Sequence, residues 1–182
     1  MAILKIARMG HPVLLTQAAP VADPAAPDIA RLVADMFETM DDASGTGLAA
    51  PQVHVPLRLF VFRVSAARVT GAPDDPPQGN TVLINPEITP LDEEKVSWWE
   101  GCLSVPGMRG AVPRWRRVRY RGFGLDGKEI VAEVSGFHAD VVQHENDHLD
   151  GLLYPMRMTD LRLFGFNEEL SRAVAAPGKG GA

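Results

Sequence analysis

The sequence predicts an α+β fold of several short antiparallel strands and two main helices, on a chain of ordinary size for one domain. Three observations predict it. Residues 25–41 carry one apolar stripe at helical spacing. Two segments of alternating character flank Asp126-Gly127, a strong hairpin signal. A second helix follows that hairpin and is not interleaved between strands, so the order is not the βαβα alternation of a parallel sheet.

In the first helix, Ile29, Leu32, Val33, Met36, Phe37 and Met40 share one face, which reads as core packing. The glycine-rich run Ser44 to Gln52 ends it. Leu57 to Val64, LRLFVFRV, reads as a strand. Ala66 to Asn80 is rich in Pro, Gly and Asp and reads as an exposed loop. TVLINPEI is a short strand that Pro86 should stop. KVSWWEGCLSV has strand-like composition, and the two arms of the hairpin follow it. The second helix runs from about Gly136 to Leu149, with Ser135 able to cap its start and Gly151 to end it. Residues 1–182 read as one domain, with a disordered tail from about 175 to 182.

The chain has 182 residues, 46% hydrophobic and 23% charged, with a formal net charge of −5, which gives no general footing for nucleic acid. The basic run RWRRVRY, Arg114 to Tyr120, reads as a solvated strand face. A single cysteine, Cys102, excludes an internal disulfide and fits a reducing compartment. The start lacks the pattern of a secretory leader, and no apolar run approaches membrane-spanning length. These features predict a cytoplasmic protein with no membrane contact, or an organellar one after processing.

The chemistry concentrates in VVQHENDHLDG, residues 141–151. Residues four apart on a helix lie just over one turn apart, so His144 and His148 point the same way and can chelate one ion. Phe137 and Val141 share their stripe, so the pair faces inward. Glu145 is rotated by about 100° and stands beside the ion as a proton acceptor. The downstream acids Asp150, Asp160, Glu168 and Glu169 carry no clear ligand spacing. Upstream, Cys102 sits in Gly-Cys-Leu-Ser, where a thiolate would complete a Cys-His-His set and leave a position open for water. In GTGLAAPQ, Gln52 offers an amide donor for a developing oxyanion.

Together GTGLAAPQ, EGCLS and QHENDHLDG resemble the three signature motifs of the peptide deformylases, in the family's order. The resemblance spans GHPVL near residue 10 to GLLYP at 151–155. It implies a single compact α+β domain, with antiparallel strands packed around a central metal-bearing helix, and a metal-dependent amide hydrolase that removes the N-formyl group from the starting methionine of nascent chains, releasing formate. Cys102, His144 and His148 would be the metal ligands, and Glu145 the general acid/base. Gln52 and the Leu103 N–H would bind the formyl oxygen. Thr46, Gly47, Gly101 and Arg109 would stand at the substrate, the two glycines pairing by backbone with an extended peptide. Glu100 and Arg114 resemble an ion pair that steadies the cysteine segment. Asp147, three residues from His144, is expected as a hydrogen-bonding support for that ligand. One divalent ion per chain is implied, Fe2+ as the working metal, with Zn2+, Ni2+ or Co2+ as other occupants. N-formylmethionyl peptides, met at the ribosome, are the implied partners. Oligomeric state stays open.

Two positions depart from the family pattern: Thr46, more often aliphatic, and Asp140, apolar in many members. A metalloprotease is the rival enzyme reading, permitted by the helix motif and opposed by Cys102. A binding module without chemistry is the other, opposed by the presence of every reactive residue.

Overall fold

The computed structural model describes residues 2–175. Helix α1, Pro27–Asp42, precedes strands β1, Gly47–Ala49, β2, Leu59–Val64, β3, Gln78–Pro90, β4, Lys95–Cys102, and β5, Val105–Trp115. Then come β6, Arg117–Phe123, β7, Glu129–Ser135, α2, Gly136–Leu149, β8, Phe164–Phe166, and α3, Asn167–Ala175. The strands form two antiparallel sheets, one in the order β1-β2-β3-β6-β7 and one in the order β4-β5-β8. This is the α+β class the sequence predicts. No helix among the described residues is long and apolar enough to cross a membrane.

Strand β2 shows why the apolar run LRLFVFRV exists. Leu59 and Val61 face α1, packing with Val33, Met36 and Met40, while Phe60 and Phe62 face α2, packing with Phe137 and Val142. A strand covered on both faces has no solvent face to alternate with. Helix α2, which carries His144 and His148, is therefore held between the five-stranded sheet and the smaller sheet, whose Val105 and Val112 pack with Leu153 and Tyr154.

Several expectations are corrected. Pro86 does not stop β3, which runs on to Pro90. The ladder to β6 passes from Ile84 opposite Phe123 to Glu87 opposite Arg121, leaving Asn85 and Pro86 facing one residue. Pro86 sits in a bulge, where it owes the ladder no N–H. Asn85, at φ 50, bonds Val21 through both its Oδ1 and its Nδ2.

Ser135 does not cap α2. Its hydroxyl donates to Asp74 Oδ1 at 2.7 Å. The cap is Asp75, whose carboxylate accepts from the N–H groups of His138 at 3.0 Å and Phe137 at 3.4 Å. The loop containing it, read as wholly exposed, is thus latched onto the helix, with Asp75 1% exposed. Gly151, at φ 74, ends the helix as expected.

The basic run is not simply a solvated face. Arg114 is buried, and Arg116, Arg117 and Arg119 pair with Asp92 and Glu94, Asp74, and Glu133. Finally, β5, β8 and α3 are elements that the sequence patterns did not announce. The expected tail falls largely outside the described residues.

Burial alone would raise the Asp75 carboxyl, but N–H donors from Thr70 and His138 and the Thr70 hydroxyl outweigh it and lower it. A lowered carboxylate contributes stability above about pH 4 that disappears as pH falls through its folded value. Asp75→Ala should therefore cost about 1–2 kcal/mol at neutral pH. The gap in Tm to wild type should close below about pH 4, as thermal melts across pH 3–7 will show.

Candidate metal centre

Three separate segments meet over one face of α2. The helix brings His144, Glu145 and His148, the end of β4 and the residue after it bring Cys102 and Leu103, and the segment from Thr46 through β1 into the following turn brings Thr46, Gly47 and Gln52. One ligand atom from each of Cys102, His144 and His148 lies within 4.8 Å of the others. Cys102 Sγ stands 3.3 Å from His148 Nε2. The imidazole centroids of His144 and His148 are 5.0 Å apart, with the rings nearly perpendicular. Tetrahedral coordination at zinc-like bond lengths spaces ligand atoms roughly 3.5 Å apart. The donor set fits a borderline-soft divalent cation: one sulfur and two nitrogens bring lone pairs together where only a cation or a proton holds them.

Without an ion, the electrostatics of the cluster follow from its contacts. Burial works against charge on His144, but hydrogen bonds and charges from Cys102 and Glu100 raise it well above its usual value. His148 is lowered by burial and by the charges of His144 and Arg114.

The supporting contacts are specific. His144 Nδ1–H donates to Glu100 Oε2 at 2.5 Å, which turns Nε2 toward the cluster. Arg114 holds Glu100 by two bonds, Nε to Oε1 at 2.7 Å and Nη2 to Oε2 at 3.0 Å. Burial would raise Glu100, yet the hydrogen bonds from His144 and Arg114 bring it down to about 2. This is the ion pair expected from the sequence, and it reaches the ligand helix as well as the cysteine strand. Asp147 does not bond His144. It accepts from Arg114 Nη1 at 2.6 Å, because a residue three along a helix lies about 60° round from its neighbour and faces the arginine. Tyr154, 1% exposed, stacks on the far side of His144, with ring centroids 6.1 Å apart.

Cys102 Sγ accepts from the Ser104 N–H at 3.4 Å and from Gln52 Nε2 at 3.5 Å. Gln52 is oriented by its own Oε1, which accepts from the Ala49 N–H at 2.8 Å. Its Nε2 is thereby left facing Ser104 and the cysteine.

Glu145 is 5% exposed and its Oε2 has no partner among the described residues. Burial, aided by the Glu100 charge, pushes it up to about 7 against the charges of His144 and Arg114. Gly47 exists for this carboxylate. A Cβ there would lie 2.2 Å from Glu145 Oε1.

The centre opens into a cavity of about 450 Å³. Thr46, Gly47, Gln52, Gly101, Cys102, Leu103, His144 and Glu145 line it, and His148 lies below. Arg109 does not line it. That guanidinium lies 5.6 Å from the Trp99 ring and donates to Ser171 at 3.2 Å, on the outer face beside Gly101. Asp140 lines the cavity and is 5% exposed. Trp99 and Arg68 also border the cavity, the latter 4.0 Å over the Phe137 ring. No periodicity in the sequence marks either.

Comparison with known proteins agrees. The polypeptide deformylase family model matches residues 3–163. Peptide deformylase 1 of Bordetella pertussis is 52% identical over 165 residues, covering 91% of this chain and 93% of the relative. Peptide deformylase 1 of Xanthomonas axonopodis is 50% identical, covering 93% and 98%. Among solved structures, the peptide deformylase of Ehrlichia chaffeensis in complex with actinonin superposes with TM-score 0.81 at 31% identity, over 96% of this chain and 98% of that one. The Thermotoga maritima enzyme gives 0.78 at 34%, over 88% and 100%.

Proposed function

This chain belongs to the polypeptide deformylase family, and from that premise we propose how its own residues perform the family reaction. That reaction is metal-dependent removal of the N-formyl group from nascent peptides. Cys102, His144 and His148 hold one divalent ion. The observation that carries the assignment is the convergence of one sulfur and two imidazoles within 4.8 Å, beside an unpartnered buried carboxylate.

When bound, the ion supplies Lewis acidity and an activated water. Glu145 takes a proton from the attacking water at its carboxylate, which no hydrogen bond among the described residues engages, and returns it to the departing amine. Gln52 Nε2 and the Leu103 N–H donate to the formyl oxygen as charge gathers on it. Formate and a free amino terminus leave.

The substrate is an N-formylmethionyl chain, met as it emerges from the ribosome. Strands β1 and β4 end their sheets, so Gly47 and Gly101 each offer an unpaired backbone edge to an extended peptide. Three residues before His144, about 4.5 Å along α2, Val141 lines the cavity with Phe137 beyond it. That is the apolar wall for the methionine side chain, which Thr46 and Asp140 make more polar. Arg109 acts from the rim. The softness of the donor set admits Fe2+, Zn2+, Ni2+ and Co2+, and Fe2+ is the working metal we propose. A lone free thiol and the bacterial relatives support a cytoplasmic location.

The test is anaerobic purification, metal analysis, and formate release from a formyl-methionyl peptide beside an internally cleavable control peptide. Formate should appear only from the formyl peptide, and a metal-chelating hydroxamate should stop it. Metal-loaded protein that releases none would overturn the assignment.

A further inference from the structure

We propose that Arg157 is a positioning residue for the metal ligand His144, acting from the protein surface through Asp147, Arg114 and Glu100. The inference rests on the reading of His144 as a ligand. Four consecutive contacts build the path. Arg157 grips Asp147 with two bonds, Nη2 to Oδ1 at 2.7 Å and Nε to Oδ2 at 3.1 Å. Asp147 Oδ2 also accepts from Arg114 Nη1 at 2.6 Å. Arg114 grips Glu100 with its other two nitrogens, and Glu100 accepts the His144 Nδ1–H at 2.5 Å.

The inner members are almost fully enclosed, with Glu100 and Arg114 each 4% exposed and Asp147 5%. The Arg157 side chain is 47% exposed. It follows the short turn Tyr154–Met156 and borders a second cavity of about 520 Å³, with Lys95, Gln143 and Asn146. It does not line the catalytic cavity, so substrate does not reach it there.

The allocation of donors explains why the outermost residue matters. Asp147 Oδ1 has Arg157 as its donor, and Oδ2 divides between the two arginines. Removing Arg157 leaves the buried Asp147 carboxylate with Arg114 as its one remaining partner and its Oδ1 without a donor. A buried acceptor left without its donor costs free energy unless it moves. Asp147 must then turn toward solvent or draw harder on Arg114. Either motion disturbs the planar fork that Arg114 presents to Glu100, and with it the oxygen that orients the His144 ring. Carboxylates that orient ligating histidines typically change metal affinity 10–100-fold when altered.

The test compares wild type, Arg157→Ala and Arg157→Lys, with Met36→Ala as a stability control on the α1 side of the core. Zinc is the probe, its affinity read by chelator competition. The second readout is the downfield proton resonance of the His144 Nδ1–H in the zinc-loaded protein. For Arg157→Ala we expect about tenfold weaker zinc binding, a displaced or broadened Nδ1–H resonance, and a fall in kcat with KM unchanged. Arg157→Lys, which keeps the charge and one donor, should fall between. Met36→Ala should lower Tm without moving the resonance. Zinc affinity and resonance unchanged in Arg157→Ala, or shifted equally in Met36→Ala, would overturn the role of Arg157. Wild type that binds no zinc would instead overturn the ligand set itself, which separates the two failures.

Discussion

Glu145→Gln should lose about two to four orders of magnitude in turnover while keeping its metal. A positioned acid/base group typically contributes ~10²–10⁴-fold. The substitution preserves shape, so the cavity and the Gly47 contact stay intact, but the amide cannot accept the proton. Metal analysis beside single-turnover formate release checks both halves. Metal loss in this variant would make Glu145 a ligand or a support and remove it from proton transfer.

The same substitution carries a stability signature in the metal-free protein. Burial, the dominant influence, raises the Glu145 carboxyl from 4.5 to about 7. A raised carboxyl opposes folding once the unfolded chain ionises. The penalty is absent below about pH 4.5, grows with pH, and is complete above about 7, where it is worth about 3 kcal/mol. Glu145→Gln escapes it. Thermal melts should show the variant gaining on wild type between pH 5 and 8, and a constant gap would contradict the burial argument.

Cys102→Ala should abolish stoichiometric metal binding. In the proposed site the thiolate is one of three ligands and the only soft one, and it must lose its proton to bind. In wild type the sulfur should resist alkylation while metal is present and react once it is stripped. If iron is the resident metal, air should inactivate the protein by oxidising the iron or the sulfur, and zinc protein should last longer. An inert packing cysteine predicts the opposite: full metal occupancy in the variant and a small loss of stability. Metal stoichiometry and thiol labelling on both proteins decide between them. Unchanged stoichiometry would take Cys102 out of the site and reopen the protease reading.

The parts of the site that the sequence made legible are those whose chemistry is local. His144 and His148 are one helical turn apart whatever surrounds them, and Glu145 is rotated from them by helix geometry alone. Phe137 and Val141 on the same stripe told which way that face points. Helix α1 and the β6–β7 hairpin were legible for the same reason, since a period of 3.6 or 2 and an Asp-Gly turn are short-range signals. Cys102 and Gln52 stood out by residue type and by likeness to a known family, not by any spacing that placed them against the helix.

What only the tertiary structure decided is who supports whom. The partner of His144 is Glu100, 44 residues away, and not the neighbouring Asp147. The cap of α2 is Asp75, 63 residues before His138, and not the adjacent Ser135. Pro86 sits in a bulge because β6 accommodates it there, a fact of register between strands. The arginines of the basic run look like a cationic surface until the sheets set acids opposite them. Spacing along a chain determines geometry over about one helical turn or one hairpin. Contacts between residues tens of positions apart depend on strand register, bulges and the packing of α2 between two sheets, and those are settled only when the whole chain closes on itself.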